Sequence, residues 1–197
     1  HHGAFDLAAY RSIPGAIVSA PSNEIELKNL MFTALHNPTG PFFIRYPRGM
    51  GEGSAWREAE FTEVPVGMAS EILEGDTVAI VAAGPVVNRA LEAAGDFPGK
   101  VGVYNFRYIK PLDTEMLARI ARTYKYIVTA EDGTLKGGLF GAVSEWAAGM
   151  PDAPVIEGVG IPDRFMLQDS QSAQRAECGL DAESLKKVCK KFLDYRK

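Results

Sequence analysis

The sequence predicts an α/β fold built on a mostly parallel β-sheet. Short runs of small and β-branched apolar residues are bounded by glycine and proline, a pattern typical of strands that are buried on both faces of a parallel sheet. These runs alternate with stretches in which apolar residues recur every three or four positions, as they do along amphipathic helices. Because parallel neighbours are joined by crossover connections, this alternation indicates βαβ packing.

The first part of the sequence predicts only a few helices and strands. Residues 5–14 form a short helical stretch that a proline ends, and residues 16–20 form a buried strand. Ser22 is expected to cap a helix over residues 23–36, whose first turn carries acidic residues where the helix dipole favours them. A second strand lies within residues 41–49. These elements are too few to close a core, so we interpret this segment as part of a larger domain.

The second part of the chain predicts a complete domain. Residues 50–65 carry glycine, glutamate and proline without periodicity, and we interpret them as a linker. The expected strands lie near 77–83, 100–106, 126–130 and 154–159, and the expected helices near 85–95, 113–124, 137–149 and from Asp181 or Ala182 to the C-terminus. We therefore expect a domain boundary near residue 62, with residues 1–62 and 63–197 in different domains.

The composition is that of a folded protein with small-molecule ligands. Of its 197 residues, 46% are hydrophobic and 10% aromatic, which is enough to bury a core and excludes disorder. No apolar run approaches the roughly 20 residues that cross a bilayer, so we expect no membrane partner. The net charge of −4 gives no attraction to nucleic acid, and we expect a cytoplasmic location.

Arg48 is the first candidate site residue. It follows the strand predicted within residues 41–49, between Pro47 and Gly49, at the carboxyl end where parallel sheets bind their ligands. A guanidinium group there can bind a phosphate or carboxylate through two parallel hydrogen bonds. The alternative is an ordinary solvated arginine at the end of a strand. Arg45, two residues earlier, is expected to form a structural ion pair.

Glu131-Asp132-Gly133, followed by further glycines, is a weaker candidate. We expect this segment after a strand and before a helix, where a phosphate-binding turn could lie. The glycine spacing matches neither the dinucleotide nor the P-loop fingerprint. Close packing of the strand against the helix is therefore the favoured interpretation.

Two other groups of residues are expected to carry no chemistry. Cys178 and Cys189 lack the spacing of a zinc or redox motif, and we expect them to be small buried hydrophobic residues. Asp163, Arg164 and the lysines of the last helix are interpreted as surface charge.

Two histidines open the chain. His1 and His2 are either the remainder of a purification tag or native residues. Helical structure is expected from Phe5 onward, which leaves no room for a linker and favours native histidines. A histidine in such a loop can exchange a proton with a carbonyl or hydroxyl group near neutral pH. The sequence assigns no role to His2.

Five segments spread along the chain carry a family resemblance. They are HHGAFD, IRYPRG, VYNFRYIKPLD, VTAEDGTLKGGLFGAVSEW, and GIPDRF with ECGLDAES. In this order and spacing the sequence resembles the 1-deoxy-D-xylulose-5-phosphate synthases, thiamine-diphosphate enzymes of the transketolase superfamily. The resemblance covers essentially the whole chain. It implies a partial transketolase-like pyrimidine-binding domain over residues 1–62, followed by a complete transketolase C-terminal domain over residues 63–197.

The resemblance implies a transferase reaction of the non-mevalonate isoprenoid pathway. Pyruvate is decarboxylated, and its remaining two carbons join the aldehyde of D-glyceraldehyde 3-phosphate to give 1-deoxy-D-xylulose 5-phosphate and CO2. Thiamine diphosphate supplies the electron sink, and Mg²⁺ accompanies it. The residues that bind thiamine diphosphate and Mg²⁺ are expected in the N-terminal part of the same enzyme. The resemblance therefore implies two partners, which are that N-terminal part and a second copy of the enzyme in a homodimer. We expect this chain alone to be inactive.

Residue by residue, the resemblance assigns two roles. His1 matches the family histidine of the TH-x-G segment, which contacts substrate oxygens and moves protons. Arg48 matches the second arginine of the RYPRG segment, which holds the substrate phosphate. No residue of this chain matches a cofactor or metal ligand of the family.

Two alternative functions remain open. The first is a fragment of a transketolase or of the β subunit of a 2-oxo-acid dehydrogenase, which share the two-domain layout. The RYPRG strand end and the GLDAES tail favour the synthase, and a β subunit would contain the entire middle domain. The second is a noncatalytic dimerisation scaffold, because residues 66–197 offer no clear nucleophile, acid–base pair or metal cluster.

Overall fold

Helices and strands alternate along most of the chain. The structure is a computed structural model that describes residues 3–36, 39–49, 51 and 55–195. The helices are α1 (Asp6–Arg11), α2 (Glu24–His36), α3 (Val86–Ala94), α4 (Thr114–Thr123), α5 (Leu139–Ala147), α6 (Gln171–Glu177) and α7 (Ala182–Asp194). The strands are β1 (Ile17–Ser19), β2 (Phe42–Ile44), β3 (Ser70–Leu73), β4 (Val78–Ala83), β5 (Val101–Asn105), β6 (Tyr108–Lys110), β7 (Tyr126–Thr134) and β8 (Val155–Ile161).

The strands form two sheets. The larger sheet has the order β3-β5-β4-β7-β8, in which β3 pairs antiparallel with β5 and the other pairs are parallel. The smaller sheet has the order β2-β1-β6, in which β1 and β2 are parallel and β6 is antiparallel to β1. This architecture confirms the predicted α/β class with a mostly parallel sheet.

Strand β4 lies at the centre of the larger sheet, and its side chains alternate between two cores. Val78 and Ile80 pack with α3 and α7 on one face of the sheet. Ala79 and Val81 pack on the other face with α4, α5 and the strand β1 of the smaller sheet. Because both faces are covered, every residue of β4 is buried and the run is continuously apolar, which is why the sequence predicts it well.

Helix starts follow the expected capping chemistry, with one correction. Asp113 and Asp181 each accept a backbone N–H at the starts of α4 and α7, two helices whose positions the sequence predicts. The prediction that Ser22 caps α2 is wrong, because the side chain of Asn23 accepts the Glu26 N–H at 2.9 Å. Ser22 lies one residue further out, and its own N–H donates to the Glu26 carboxylate at 2.6 Å. Two good cap residues stand side by side, and the helix begins after the second.

Three elements, β3, β6 and α6, have no counterpart in the sequence prediction. The two strands lie at sheet edges and are 4 and 3 residues long, too short for a hydrophobic period to stand out. Their backbone partners come from distant parts of the chain, so tertiary pairing decides them. The predicted linker, where described, contains a one-turn 3-10 helix at Ala55–Arg57.

A largely buried ion pair joins α2 to the second part of the chain. Arg107 Nε lies 2.5 Å from Glu26 Oε1, and these side chains are 14% and 11% exposed. Asn105 Nδ2 donates to the same carboxylate at 2.9 Å. The Arg107 carbonyl accepts the Ala20 N–H at 2.8 Å, just before β6 joins the smaller sheet. The two parts of the chain are therefore joined by both side-chain and main-chain contacts.

We expect Glu26→Ala to lower the free energy of unfolding by about 3 to 5 kcal/mol, because it leaves the Arg107 guanidinium buried without its partner. Asp163→Ala is the matched control. This substitution breaks the Asp163–Lys136 ion pair, in which the lysine side chain is 74% exposed and the aspartate side chain 73%. It should lower the free energy of unfolding by about 1 kcal/mol or less. Urea denaturation of both variants measures the difference, and equal losses would contradict the structural role of Glu26.

Candidate functional site

Arg48 lies beyond the carboxyl ends of two parallel strands. β1 and β2 run side by side, and the chain continues from β2 through Pro47 to Arg48. The next residue, Gly49, has a φ of 152°, a backbone conformation that favours glycine. The Arg48 side chain is exposed. The structure thus places Arg48 at the ligand-binding end of the strands, as the sequence predicts, while its binding role stays a prediction.

Two cavities meet at Arg48. Their volumes are about 260 Å³ and about 890 Å³. Both are lined by Pro47 and Arg48 from the first part of the chain, and by Asp132, Gln171 and Arg175 from the second part. The candidate site therefore lies where the two parts of the chain face each other.

The smaller cavity carries more cations than carboxylates. Arg48, Arg89 and Arg175 line it, against Glu24 and Asp132. An excess of guanidinium groups in a recessed site attracts an anion, and guanidinium groups bind phosphate with good geometry. The net positive charge of this cavity is therefore suited to an anion such as the phosphate or carboxylate that Arg48 is a candidate to bind.

Arg45 has the structural role that the sequence predicts. Its Nε lies 3.5 Å from Asp6 Oδ1, and its Nη1 lies 3.8 Å from Asp132 Oδ2. Its Nη2 also donates to the main-chain oxygen of Asp132. These contacts tie the end of β2 to α1 and β7, and the side chain is 15% exposed. Arg45 thus forms a structural ion pair beside the cavity.

Glu131 lies inside β7 and not in a turn after it. The prediction that Glu131-Asp132-Gly133 follows the strand is wrong, because β7 continues to Thr134 through a register shift against β8. The buried Glu131 carboxylate accepts the N–H groups of Leu139 and Phe140, each at 2.9 Å, at the start of α5. This helix start therefore already holds a carboxylate, which supports the packing interpretation over a phosphate-binding turn.

The surroundings of Glu131 act on the pKa of its carboxyl group in opposite directions. Burial raises the pKa of the Glu131 carboxyl, while the two N–H donors and the nearby Arg45 and Arg11 act to lower it. Arg11 is held in place by α5, since its Nη1 donates to Glu145 at 2.9 Å and its Nε to the Gly137 carbonyl at 2.7 Å. These contacts fix helix α1 to the N-terminal side of α5 and to its exposed face.

The candidate residue His1 lies outside the described residues, as does His2. The chain is described from Gly3 onward, and Gly3, Ala4 and Asp6 line the larger cavity. The described residues nearest to His1 in the sequence therefore belong to the same cavity as Arg48. The assignment of a role to His1 stays a prediction.

The sequence does not identify two residues of the cavity wall, Gln171 and Arg175, as candidate site residues. Both belong to α6, which brings them against Arg48 from the second part of the chain. A local signal for this helix exists. Ser170 is a favourable cap and accepts the Ala173 N–H at 3.2 Å, and Gly179 has a φ of 74° just after the helix, as is common at helix ends. Nothing in the local pattern indicates which residues the helix faces.

The two cysteines largely match their prediction. Cys189 is fully buried in the core beneath α7, and burial raises the pKa of its thiol to about 12. Cys178 is half-buried, and its Sγ lies 3.7 Å from Met166 Sδ. Both pack with the apolar cluster on one face of the larger sheet.

The described residues contain neither a cluster of metal ligands nor a membrane-spanning helix. Within residues 3–36, 39–49, 51 and 55–195, no three His, Cys, Asp or Glu side chains are grouped so that they could hold a metal ion. None of the helices in this described part of the chain is long and apolar enough to cross a bilayer.

Two family models match the chain, one on each side of the predicted linker. The pyrimidine-binding domain of transketolase matches residues 1–52, and the C-terminal domain of transketolase matches residues 67–185, which is more than half of the chain. The chain belongs to the transketolase family.

Curated relatives of this transketolase-family chain are named 1-deoxy-D-xylulose-5-phosphate synthase. The protein from Parabacteroides distasonis is 40% identical over 194 residues, which cover 97% of this chain and 30% of the relative. The protein from Geobacter sulfurreducens, named 1-deoxy-D-xylulose-5-phosphate synthase 1, is 42% identical over 198 residues, which cover 98% and 31%. The chain thus spans about 30% of the length of these relatives.

A solved structure also resembles this transketolase-family chain along almost its whole length. It is described as "Split gene transketolase, inactive beta4 tetramer". The TM-score is 0.80 at 27% sequence identity, and the match covers 98% of this chain and 62% of that chain. The transketolase-like fold that the resemblance implied is confirmed.

We expect Gly138→Ala to lower the free energy of unfolding by about 2 to 4 kcal/mol. A Cβ atom at this position would lie 2.1 Å from Glu131 Oε2, so the buried carboxylate would have to leave the start of α5. Gly149→Ala at the other end of α5 is the control, because a Cβ atom there meets nothing within 4 Å. Thermal denaturation compares the two variants, and a melting temperature of Gly138→Ala equal to that of the control would contradict this account of Glu131.

Proposed function

We propose that this chain is the C-terminal portion of a 1-deoxy-D-xylulose-5-phosphate synthase. The enzyme would condense pyruvate with D-glyceraldehyde 3-phosphate to 1-deoxy-D-xylulose 5-phosphate and CO2. The observation that carries the proposal is Arg48, which lies at a strand end between two cavities in a chain about 40% identical to proteins of that name. The resemblance of the RYPRG segment supports the same function.

Arg48 is proposed to bind the phosphate group of D-glyceraldehyde 3-phosphate. Its side chain is exposed at the carboxyl ends of β1 and β2, where a ligand can reach it. The smaller cavity, which Arg48 lines with Arg89 and Arg175, provides an excess of positive charge. A phosphate bound there would hold the acceptor by the end opposite its aldehyde. Arg48 would thus orient the acceptor without taking part in bond formation.

His1 is proposed to move a proton at the oxygens of the substrate. This role rests on the match of HHG to the family segment TH-x-G. Gly3 and Ala4, which follow it in the chain, line the larger cavity. An imidazole group titrates near neutral pH, so it can both accept a proton and return it in one catalytic cycle.

The cofactors that the family implies are proposed to bind largely outside this chain. Thiamine diphosphate, when bound, supplies the electron sink for decarboxylation of pyruvate. Among the described residues, no three His, Cys, Asp or Glu side chains are grouped so that they could hold a metal ion. We propose that the ligands of Mg²⁺ and of thiamine diphosphate lie in the N-terminal part of the enzyme, as the family resemblance implies.

The proposed partners are the remaining part of the same enzyme and a second copy of it. The relatives are about three times as long as this chain, since it covers 30% of the Parabacteroides distasonis protein. The related solved structure is described as a tetramer of a split-gene transketolase, which supports assembly from separate parts. We also propose that the domain boundary falls near residue 62, between the segments that match the two family models.

The proposal is tested by incubating the full-length enzyme, with thiamine diphosphate and Mg²⁺, with each substrate alone and with both. The expected result is release of CO2 and formation of 1-deoxy-D-xylulose 5-phosphate only when pyruvate and D-glyceraldehyde 3-phosphate are both present.

A transketolase is the second candidate, favoured by the similarity to the split-gene transketolase structure. Such an enzyme would use a ketose phosphate in place of pyruvate and release no CO2.

We expect Arg48→Ala in the full-length enzyme to raise mainly the KM for D-glyceraldehyde 3-phosphate. Loss of a charge-assisted contact with the phosphate should reduce kcat/KM for this substrate by about ten- to a hundredfold. Arg122→Ala, an exposed arginine in α4, is the matched control and should behave like the wild type. Steady-state kinetics measure both variants, and unchanged kinetics of Arg48→Ala would remove Arg48 from the phosphate site.

We expect His1→Ala to lower kcat by about ten- to a thousandfold, with a much smaller change in the KM for pyruvate. The reason is that a proton-transfer group acts in the transition state more than in substrate binding. The pH profile of kcat, measured on the same variant, should lose one of its ionisations. Wild-type turnover in His1→Ala would exclude the proton-transfer role.

A further inference from the structure

One side chain of the second part of the chain holds the main chain of Arg48. Gln171, the first residue of α6, donates a hydrogen bond from Nε2 to the Arg48 carbonyl oxygen at 2.5 Å. These two residues are separated by 123 positions in the sequence. A Cβ atom on Gly49 would lie 3.7 Å from both Gln171 Nε2 and Oε1, so the turn that carries Arg48 passes directly over this side chain.

The turn at residues 46–49 has little other support. Among the described residues, the bond from Gln171 is the only hydrogen bond that involves this turn. Tyr46 is 61% exposed, and Arg48 is exposed as well. A segment with few buried contacts and one hydrogen bond has low local stability. The hydrogen bond from Gln171 is therefore the main polar contact that holds the main chain at Arg48.

Helix α6 has no buried residue of its own, and local contacts order the segment around it. The Ser170 side chain caps its first turn, and Gln174 Nε2 donates to the Leu167 carbonyl at 2.8 Å. Glu177, the last residue of α6, lies 2.6 Å from Arg164. Leu180, just beyond the helix, is 2% exposed in the core of the larger sheet. Gln171 thus projects toward the turn from a helix that is ordered by local contacts and attached to the core through Leu180.

We infer that Gln171 is a positioning residue for Arg48 and thereby determines the preference of the enzyme for a phosphorylated acceptor. It does not touch the reacting atoms. It fixes the main chain of Arg48 so that the guanidinium group points at the phosphate before the acceptor arrives, which lowers the ordering cost of binding. Arg175 follows one helical turn later and lines both cavities beside Arg48, so the same face of α6 borders the anion.

This inference rests on the proposed function, and its test compares two acceptors in the full-length enzyme. D-glyceraldehyde 3-phosphate carries the phosphate, and D-glyceraldehyde lacks it. We expect Gln171→Ala to reduce kcat/KM for D-glyceraldehyde 3-phosphate by about three- to tenfold, the range typical of one neutral hydrogen bond. The kcat/KM for D-glyceraldehyde and the KM for pyruvate should change less than about twofold.

Two further variants separate positioning from packing. Gln171→Met keeps the length of the side chain but cannot donate a hydrogen bond, so it should lose as much preference for the phosphorylated acceptor as Gln171→Ala. Ser172→Ala removes a hydrogen bond between the Ser172 and Ser170 hydroxyls at the start of α6, at a side chain that lines neither cavity. It tests whether a general weakening of the helix has the same effect. We expect it to leave the ratio of the two kcat/KM values unchanged.

The outcomes distinguish the inference from the proposed function. An active wild-type enzyme whose acceptor ratio is unchanged in Gln171→Ala, or is restored in Gln171→Met, would overturn the inference alone. A wild-type enzyme that does not turn over pyruvate with D-glyceraldehyde 3-phosphate would overturn the proposed function and this inference with it. A selective loss in both Gln171 variants, with Ser172→Ala unaffected, would support the positioning role.

Discussion

The carboxylate of Glu131 occupies the start of α5, and much of the site geometry depends on this contact. Glu131 is buried, and it accepts two N–H groups that the helix leaves free at its first turn. The approach is so close that Gly138 has no room for a side chain. With Glu131 fixed inside β7, the next residue, Asp132, faces the cavities and lies between Arg45 and Arg175. The structural carboxylate is thus the direct neighbour of Asp132, the charged residue of β7 that lines both cavities.

The candidate site is shared between the two parts of the chain. Arg48 comes from the end of a parallel strand pair in the first part, while Gln171 and Arg175 come from α6 in the second part. Their relative positions are preserved by contacts away from the cavities, including the Glu26–Arg107 ion pair and the pairing of β6 with β1. The second part of the chain therefore contributes to the wall of both cavities, in addition to supporting the fold.

The sequence predicts those features whose causes are local. Burial on both faces makes β4 a continuous apolar run, and the strand end at Pro47 and Gly49 identifies Arg48 as a candidate. Adjacent Ser22 and Asn23 are both good caps, so local chemistry could not decide between them. The role of Gln171 is decided by a contact across 123 positions, which no local pattern contains. The fold class could therefore be predicted from the sequence, whereas the part of the cavity wall that α6 contributes could not.

The pairing of β6 with β1 has a consequence for the connection between the two parts. Strand β6 belongs to the second part by sequence but forms an edge of the sheet of the first part. Main-chain hydrogen bonds and a shared apolar core therefore hold the two parts together. The connector, residues 55–65, adds to them through Val64, which is buried against Leu30 and Tyr108. We expect a protease cut on the exposed side of this connector to yield two polypeptides that remain associated as a nicked complex, with the two cavities at Arg48 intact.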